Sequence, residues 1–248
     1  MKARPSDAPP PYAAVVFDCD STLSSIEGVD ELASLLAADM RAEIEELTCR
    51  AMAGELPLES VYAERLDRIR PHRRDLDRVG RLYIERAVPG ARELVAALHA
   101  LGKQVWIVSG GLRTAVMHLA RHLGIPEGRV LAVETHHDAS GRWLGYAAES
   151  PLAKSGGKPS VVAEIARGAG PSGVAMVGDG ITDLEAAPHL RRFVAFGGVV
   201  RREPVFAAAR VTCSDKDLMA LLPLLVADEE RARLDSARSP TSRPHKLS

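Results

Sequence analysis

Runs of consecutive apolar residues, each ending in polar and glycine residues, constrain this chain more than any other feature. AAVVF (13–17), KQVWIVSGG (103–111), SGVAMVGDG (172–180) and RFVAFGG (192–198) share this form. A strand with one wet face alternates apolar and polar residues, whereas a continuous run suits a strand covered on both faces. Helical periodicity lies between the runs. ARELVAALHALG (91–102) places Leu94, Ala97, Leu98 and Leu101 on one face and stops at Gly102. LRTAVMHLARHLG (112–124) repeats the pattern and stops at Gly124. Strand, helix and strand in repetition predict an α/β fold, a doubly wound parallel sheet with a Rossmann-like core and right-handed crossovers. Ligands of such sheets sit at the C-terminal strand ends, where the polar and glycine residues fall here.

One stretch breaks the rhythm. From Gly28 to Val88 the pattern is helical and charged, with EGVDELASLLA, MRAEIEELTCRAMAG and LESVYAERLDRIR reading as amphipathic helices. Pro89-Gly90 then restarts the alternation. The expected organisation is a core of residues 13–27 and 89–227 with a helical cap, 28–88, inserted after the first strand as a lid over the strand ends. A β-hairpin is expected within 131–149, turning near Gly141. Residues 1–12 read as a disordered arm, and the charged segment 228–248 as a disordered tail, with a helix reaching Arg233 the alternative for its first half.

Lys and Arg, 32 together, nearly balance Asp and Glu at 33, so net charge gives no reason to expect nucleic acid or an anionic membrane as partner. The apolar stretch Leu218 to Ala227 is interrupted by Pro223 and too short to span a bilayer. Cys19, Cys49 and Cys213 are far apart, without metal-ligand spacing. These features lead to the expectation of a soluble cytoplasmic protein.

The chemistry is carried by the strand ends. The first ends in FDCDST, and on an extended backbone Asp18 and Asp20 point the same way while Cys19 points away into packing. Two acids so placed repel unless a cation or a shared proton compensates. The third run ends in GDGITDLE, which adds Asp179 and, a helical turn later, Asp183. Four converging carboxylates suit Mg²⁺, which binds through a few carboxylates, waters and a substrate phosphate. The SGG of the second run offers the Ser109 hydroxyl and the N–H groups of Gly110 and Gly111, expected to be free at a helix N-terminus, as an anion site. Lys158, placed just before a helix expected at 160–166, supplies a cation. Together they predict a phosphatase: Asp18 attacks phosphorus, Mg²⁺ and Lys158 offset the charge repulsion, and Asp20 protonates the leaving alkoxide.

In their order, DCDST, SGG, the lysine of GGKP and GDGITDLE resemble the haloacid dehalogenase (HAD) superfamily, and more finely its phosphoserine phosphatase family, over roughly 12–227. IEGVDELA, ERLDRI, ESPLAKSGGK and AFGGVVRREPV add to the likeness. The resemblance implies Asp18 as nucleophile, Asp20 as acid and base, and Mg²⁺ held by Asp18, the Asp20 carbonyl and Asp179. It implies phosphate contacts from Ser109, Gly110 and Lys158, with Thr182 near the substrate; Gly111 from the SGG turn and Asp183 in support complete the expected site. It further implies that Glu27 pairs with the ammonium of an amino-acid substrate and Arg65 grips its carboxylate. Spacing alone does not choose Arg65 over Arg68, Arg70, Arg73 or Arg74. MAGELPL (52–58) resembles the family's cap loop and keeps Met52, but has Ala53 and Leu58 where a glycine and an aromatic are usual. The substrate so implied is O-phosphoserine and the protein a monomer or homodimer. Phosphohomoserine, histidinol phosphate, phosphotransfer to an alcohol and a signalling receiver domain are the competing readings. Asp20 and the helical insertion argue against the receiver domain, which needs neither a leaving-group acid nor a lid.

Overall fold

A computed structural model describes residues 11–36, 42–44, 46, 58–170 and 173–238. Eight strands occur among them: β1 (Ala14–Phe17), β2 (Gln104–Leu112), β3 (Val130–Val133), β4 (Thr135–His137), β5 (Trp143–Tyr146), β6 (Val174–Gly178), β7 (Arg192–Phe196) and β8 (Val211–Cys213). Six form one sheet in the order β3-β2-β1-β6-β7-β8, and every pairing within it is parallel. The chain leaves β1 toward β2 on one side and later returns to β6 on the other. The β1/β6 junction is therefore the switch point at which doubly wound sheets open a crevice.

Both faces of the sheet are covered, as continuous apolar runs require. Val15 and Phe17 of β1 enter one hydrophobic cluster, and Ala14 and Val16 enter the other. The crossover helices α4 (Ala91–Ala100) and α5 (Arg113–Leu123) follow the apolar stripes read from the sequence. Gly124 ends α5 at φ +77°, a conformation that a side chain disfavours. The expected hairpin is β4-β5, antiparallel, with Gly141 in its turn at φ +87°. Helix α6 (Gly157–Ala169) starts earlier than expected, so Lys158 lies in its first turn rather than before it.

The segment after β1 contributes α1 (Gly28–Ala33), α2 (Leu58–Ile69) and α3 (Arg73–Glu85). These helices are not detached from the rest. Leu32, Leu66, Leu76, Val79 and Tyr83 belong to the same buried cluster as Leu94, Leu119 and Ile107. Helix α3 packs on α5 closely enough that a Cβ on Gly80 would meet the His118 ring at 2.4 Å. Helix α2 reaches the hairpin through an edge-to-face pair of Tyr62 and Tyr146, centroids 5.7 Å apart.

Two terminal expectations need correction. Tyr12, assigned to the disordered arm, is buried in the core. Residues 228–238, assigned to a disordered tail, form α10 (Asp228–Arg238), which follows α7 (Ile181–Leu184), α8 (Glu203–Ala208) and α9 (Leu222–Leu225). Its charged composition hid one buried ion pair. Lys103 Nζ donates to Glu230 Oε1 at 2.7 Å and to the Tyr12 carbonyl at 2.9 Å, while the Ala227 N–H donates to Glu230 Oε2 at 2.9 Å. Residues 1–10 and 239–248 lie outside the described residues. No helix among the described residues is long and apolar enough to cross a membrane. Cys19 and Cys213 are free and buried.

Candidate active site

Asp18 directly follows β1, and its N–H donates to the Val177 carbonyl of β6 at 3.0 Å. Asp179 follows β6 itself. Parallel pairing of these two neighbours thus brings two acids 161 positions apart in sequence to one edge. Carboxylate oxygens of Asp18, Asp179 and Asp183, all buried, lie within 4.8 Å of one another. Burial and the Asp18 charge push the Asp179 carboxyl upward, against the opposing Arg202 guanidinium. Three buried hard-oxygen groups at this separation fit Mg²⁺ better than a metal that prefers nitrogen or sulfur ligands. The fourth acid, Asp20, does not join them with its carboxyl group.

Lys158 is the buried cation of the cluster, with Nζ 2.8 Å from Asp18 Oδ1 and 2.7 Å from Asp183 Oδ1. Burial works against its charge, but Asp18 and Asp183 outweigh burial and hold its pKa above lysine's ordinary value. Asp183 also accepts from the Gly180 N–H at 3.0 Å, so it serves Lys158 and the turn after β6. Burial, then the Asp18 charge, pushes the Asp183 carboxyl up.

The loop after β1 is wound around one carbonyl. Cys19 O accepts from the N–H groups of Thr22, Leu23 and Ser24, and Ser21 takes a positive φ of 52°. This winding returns Glu27 to the site, where it accepts from Ser21 Oγ at 2.7 Å. Burial, then the charge of Asp20, pushes the Glu27 carboxyl to about 7. Cys19 points into the core as expected, and burial pushes its thiol well up.

Asp20 sits apart on its own hydrogen bonds. Oδ1 accepts from Tyr83 Oη at 2.6 Å and from the Gly28 N–H at 2.7 Å, and Oδ2 accepts from Ser109 Oγ at 3.3 Å. Burial, then the Asp18 charge, raises its pKa to about 6 against these donors. Asp20 therefore takes up a proton more readily than an ordinary aspartate.

The anion site differs from the sequence expectation. Strand β2 runs through Ser109, Gly110 and Gly111 to Leu112, with an irregular register against β3, and the helix begins only at Arg113. The Gly111 N–H is not free, because it donates to Ser109 Oγ at 2.9 Å. Gly110 accepts at its carbonyl from Tyr62 Oη of α2 at 2.9 Å. Thr182 is half-buried in the first turn of α7.

Arg65 is set apart from its neighbours. Arg68 pairs with Glu64 and Glu43, and Arg73 and Arg74 are exposed ion-pair partners of Asp77 and Asp75. Arg65 is largely buried and pairs with Asp30, while its buried Nε has no acceptor among the described residues. Met52 and Ala53 lie outside the described residues.

Sequence reasoning missed Tyr83 and Arg202. Arg202 Nε donates to Asp179 Oδ2 at 2.8 Å, and its Nη2 lies 3.4 Å from Glu27 Oε1. Arg202 lies in AFGGVVRREPV, where nothing local marks it out, and Tyr83 reads as an ordinary aromatic on a helix stripe.

The fold and this acidic, lysine-bridged strand edge define a doubly wound α/β protein with a buried carboxylate site, and a family model described as haloacid dehalogenase-like hydrolase matches residues 12–190. Phosphoserine phosphatase from Rattus norvegicus is 39% identical over 192 residues, which is 77% of this chain and 84% of the relative. A solved phosphoserine phosphohydrolase-like protein from Francisella tularensis superposes with TM-score 0.71 at 26% identity, covering 84% of this chain and 98% of that one. A solved phospho-aspartyl intermediate analogue of phosphoserine phosphatase gives TM-score 0.69 at 25% identity, over 86% and 98% of the two chains. The chain belongs to the haloacid dehalogenase-like hydrolases and, within them, to the phosphoserine phosphatase family.

Proposed function

We propose that the protein hydrolyses O-phosphoserine to serine and inorganic phosphate through an aspartyl-phosphate on Asp18, as the last step of serine biosynthesis. The observation that carries this reading is the division of labour between two acids two residues apart. Asp18 is paired with the Lys158 ammonium beside the acidic cluster, whereas Asp20 is held away from that cluster on three donors of its own.

The Asp18 carboxylate attacks phosphorus, and the bond from phosphorus to the serine oxygen breaks with its electron pair on that oxygen. Asp20, its pKa raised by burial, delivers the proton that this alkoxide needs. It then takes a proton from the water that cleaves the mixed anhydride, which frees phosphate and restores Asp18. Lys158 offsets the repulsion between the attacking carboxylate and the phosphate. Asp18, the Asp20 carbonyl and Asp179 would hold Mg²⁺, which when bound neutralises charge on the transferring phosphoryl group. Ser109, Gly110 and Gly111 would line the phosphate, with Thr182 beside the substrate.

At the other end, Glu27 suits the substrate ammonium and Arg65 its carboxylate. The orphaned Arg65 Nε supports this, since a buried guanidinium N–H without an acceptor is costly and a bound carboxylate would satisfy it. Helix α2, tied by Tyr62 to Gly110 at the end of β2, is the element best placed to act as a lid. The buried free thiols fit a reducing, cytoplasmic setting.

The test is phosphate release from a panel of phosphorylated amino acids, sugars and p-nitrophenyl phosphate, with and without Mg²⁺. O-phosphoserine should be preferred, Asp18→Asn should be inactive, and Arg65→Ala should lose the preference for phosphoserine over the aryl phosphate. An unchanged ratio in Arg65→Ala would sink the amino-acid assignment while leaving the phosphatase reading intact.

A further inference from the structure

We propose that Tyr83 is a positioning residue that fixes the rotation of the Asp20 carboxyl group and aims its Oδ2 at the departing oxygen of the substrate. The inference rests on the reading of Asp20 as general acid. Its basis is the different surroundings of the two Asp20 oxygens. Oδ1 accepts two short hydrogen bonds, from Tyr83 Oη at 2.6 Å and from the Gly28 N–H at 2.7 Å. Both donors belong to the helices inserted after β1, Tyr83 to α3 and Gly28 to α1. Oδ2 faces the Ser109–Gly111 end of β2 instead. Ser109 Oγ lies 3.3 Å from it, and a Cβ on Gly111 would come within 3.0 Å.

An oxygen that already accepts two donors is a poor place for a proton, so the acidic proton belongs on Oδ2. That oxygen faces the strand end where phosphate and leaving group meet. The last torsion of an aspartate is broad and nearly two-fold, so an unanchored carboxyl group would exchange its oxygens and present the proton only part of the time. Tyr83 removes that freedom. The same bonds strengthen as the reaction proceeds, because the Oδ2 proton passes to the serine oxygen and leaves Asp20 as a carboxylate, to which donors bind more strongly.

The arrangement is built around this contact. Tyr83 is among the largest fully buried side chains, and its hydroxyl has Asp20 as its acceptor. Gly28 has no Cβ, and one placed there would lie 2.1 Å from the Tyr83 hydroxyl oxygen. Only a glycine lets its N–H and the tyrosine hydroxyl share one carboxylate oxygen.

The experiment compares kcat/KM for O-phosphoserine and p-nitrophenyl phosphate in the wild type, Tyr83→Phe and Asp20→Asn. This parameter covers the steps up to departure of the alcohol. The serine alkoxide needs a proton to leave, whereas p-nitrophenolate does not. Tyr83→Phe keeps the ring and should lower kcat/KM for O-phosphoserine about tenfold while changing the aryl ester by less than about twofold, a fraction of what general acid catalysis contributes. Asp20→Asn should show the same selectivity more strongly. Gly28→Ala, whose methyl displaces the hydroxyl, should reproduce the pattern if Tyr83→Phe does not fold. Equal losses on both substrates, or none, in the Tyr83 and Gly28 variants would overturn the positioning role, provided that Asp20→Asn remains selective. If Asp20→Asn is itself unselective, the acid assignment fails and the positioning role with it.

Discussion

At the scale of single residues, the site is held by cations and donors that each satisfy a buried acid. Lys158 serves two at once, Asp18 and Asp183. Removing one partner from a buried ion pair leaves a charge with neither water nor a counter-ion. Lys158→Met should therefore destabilise the fold by about 3 kcal/mol at neutral pH. The deficit should shrink in acid, where Asp183, its carboxyl pushed up by burial, takes up a proton; denaturant unfolding at pH 5 and pH 8 checks both statements. Glu27 gives the opposite case, a carboxyl whose charged form burial and the neighbouring Asp20 disfavour. Its carboxyl is pushed to about 7 in the folded protein, above the ordinary range. The folded state therefore favours the protonated form: that stabilisation is complete below the unfolded pKa and is lost as pH rises toward 7. Without added metal, Glu27→Gln should gain stability relative to wild type between pH 5 and pH 8. The gain should be about 1 kcal/mol, discounted because the side chain is 44% exposed. A gain that is the same at both pH values would contradict the assignment.

At the scale of elements, two attachments decide what the sequence pattern leaves open. The inserted helices share the core: α3 lies on α5, and Tyr83 reaches from it to the catalytic edge. The last helix, α10, is fastened by Glu230 to Lys103 and to the N–H of Ala227. Glu230→Ala should lower stability by about 3 kcal/mol in denaturant unfolding, and the double change Lys103→Met with Glu230→Leu should recover most of it. If the single variant unfolds like wild type, α10 is not a structural part of the fold. The helix to Arg233 that the sequence offered only as an alternative is what forms, and it runs on to Arg238; composition could not favour it, because it averages over charges and one buried pair among many solvated ones leaves no trace in it.

At the scale of the whole molecule, the switch point of the sheet collects acids from distant segments and leaves them mutually repelling. A divalent cation that relieves this repulsion should stabilise the folded state by mass action. Mg²⁺ should raise the melting temperature of protein treated with a chelator, and Asp179→Asn should abolish the shift. A full shift in Asp179→Asn would remove Asp179 from the ligand set, whatever the activity.

The sequence by itself determined the parallel sheet and the helices that cross over it, because hydrophobic periodicity is a local property of the chain. It also determined the acids at the strand ends and Lys158, because strand ends are where such sheets open. The tertiary structure alone decided how those residues divide. It separated the Asp20 carboxyl from the Asp18, Asp179 and Asp183 cluster, and it set Arg65 apart from Arg68, Arg73 and Arg74. It also took up the Gly111 N–H that looked free and brought Tyr83 and Arg202 to the site. The physical reason is common to all of these: a hydrogen bond or ion pair between residues far apart in the chain depends on packing in three dimensions, and spacing along the sequence carries no record of it.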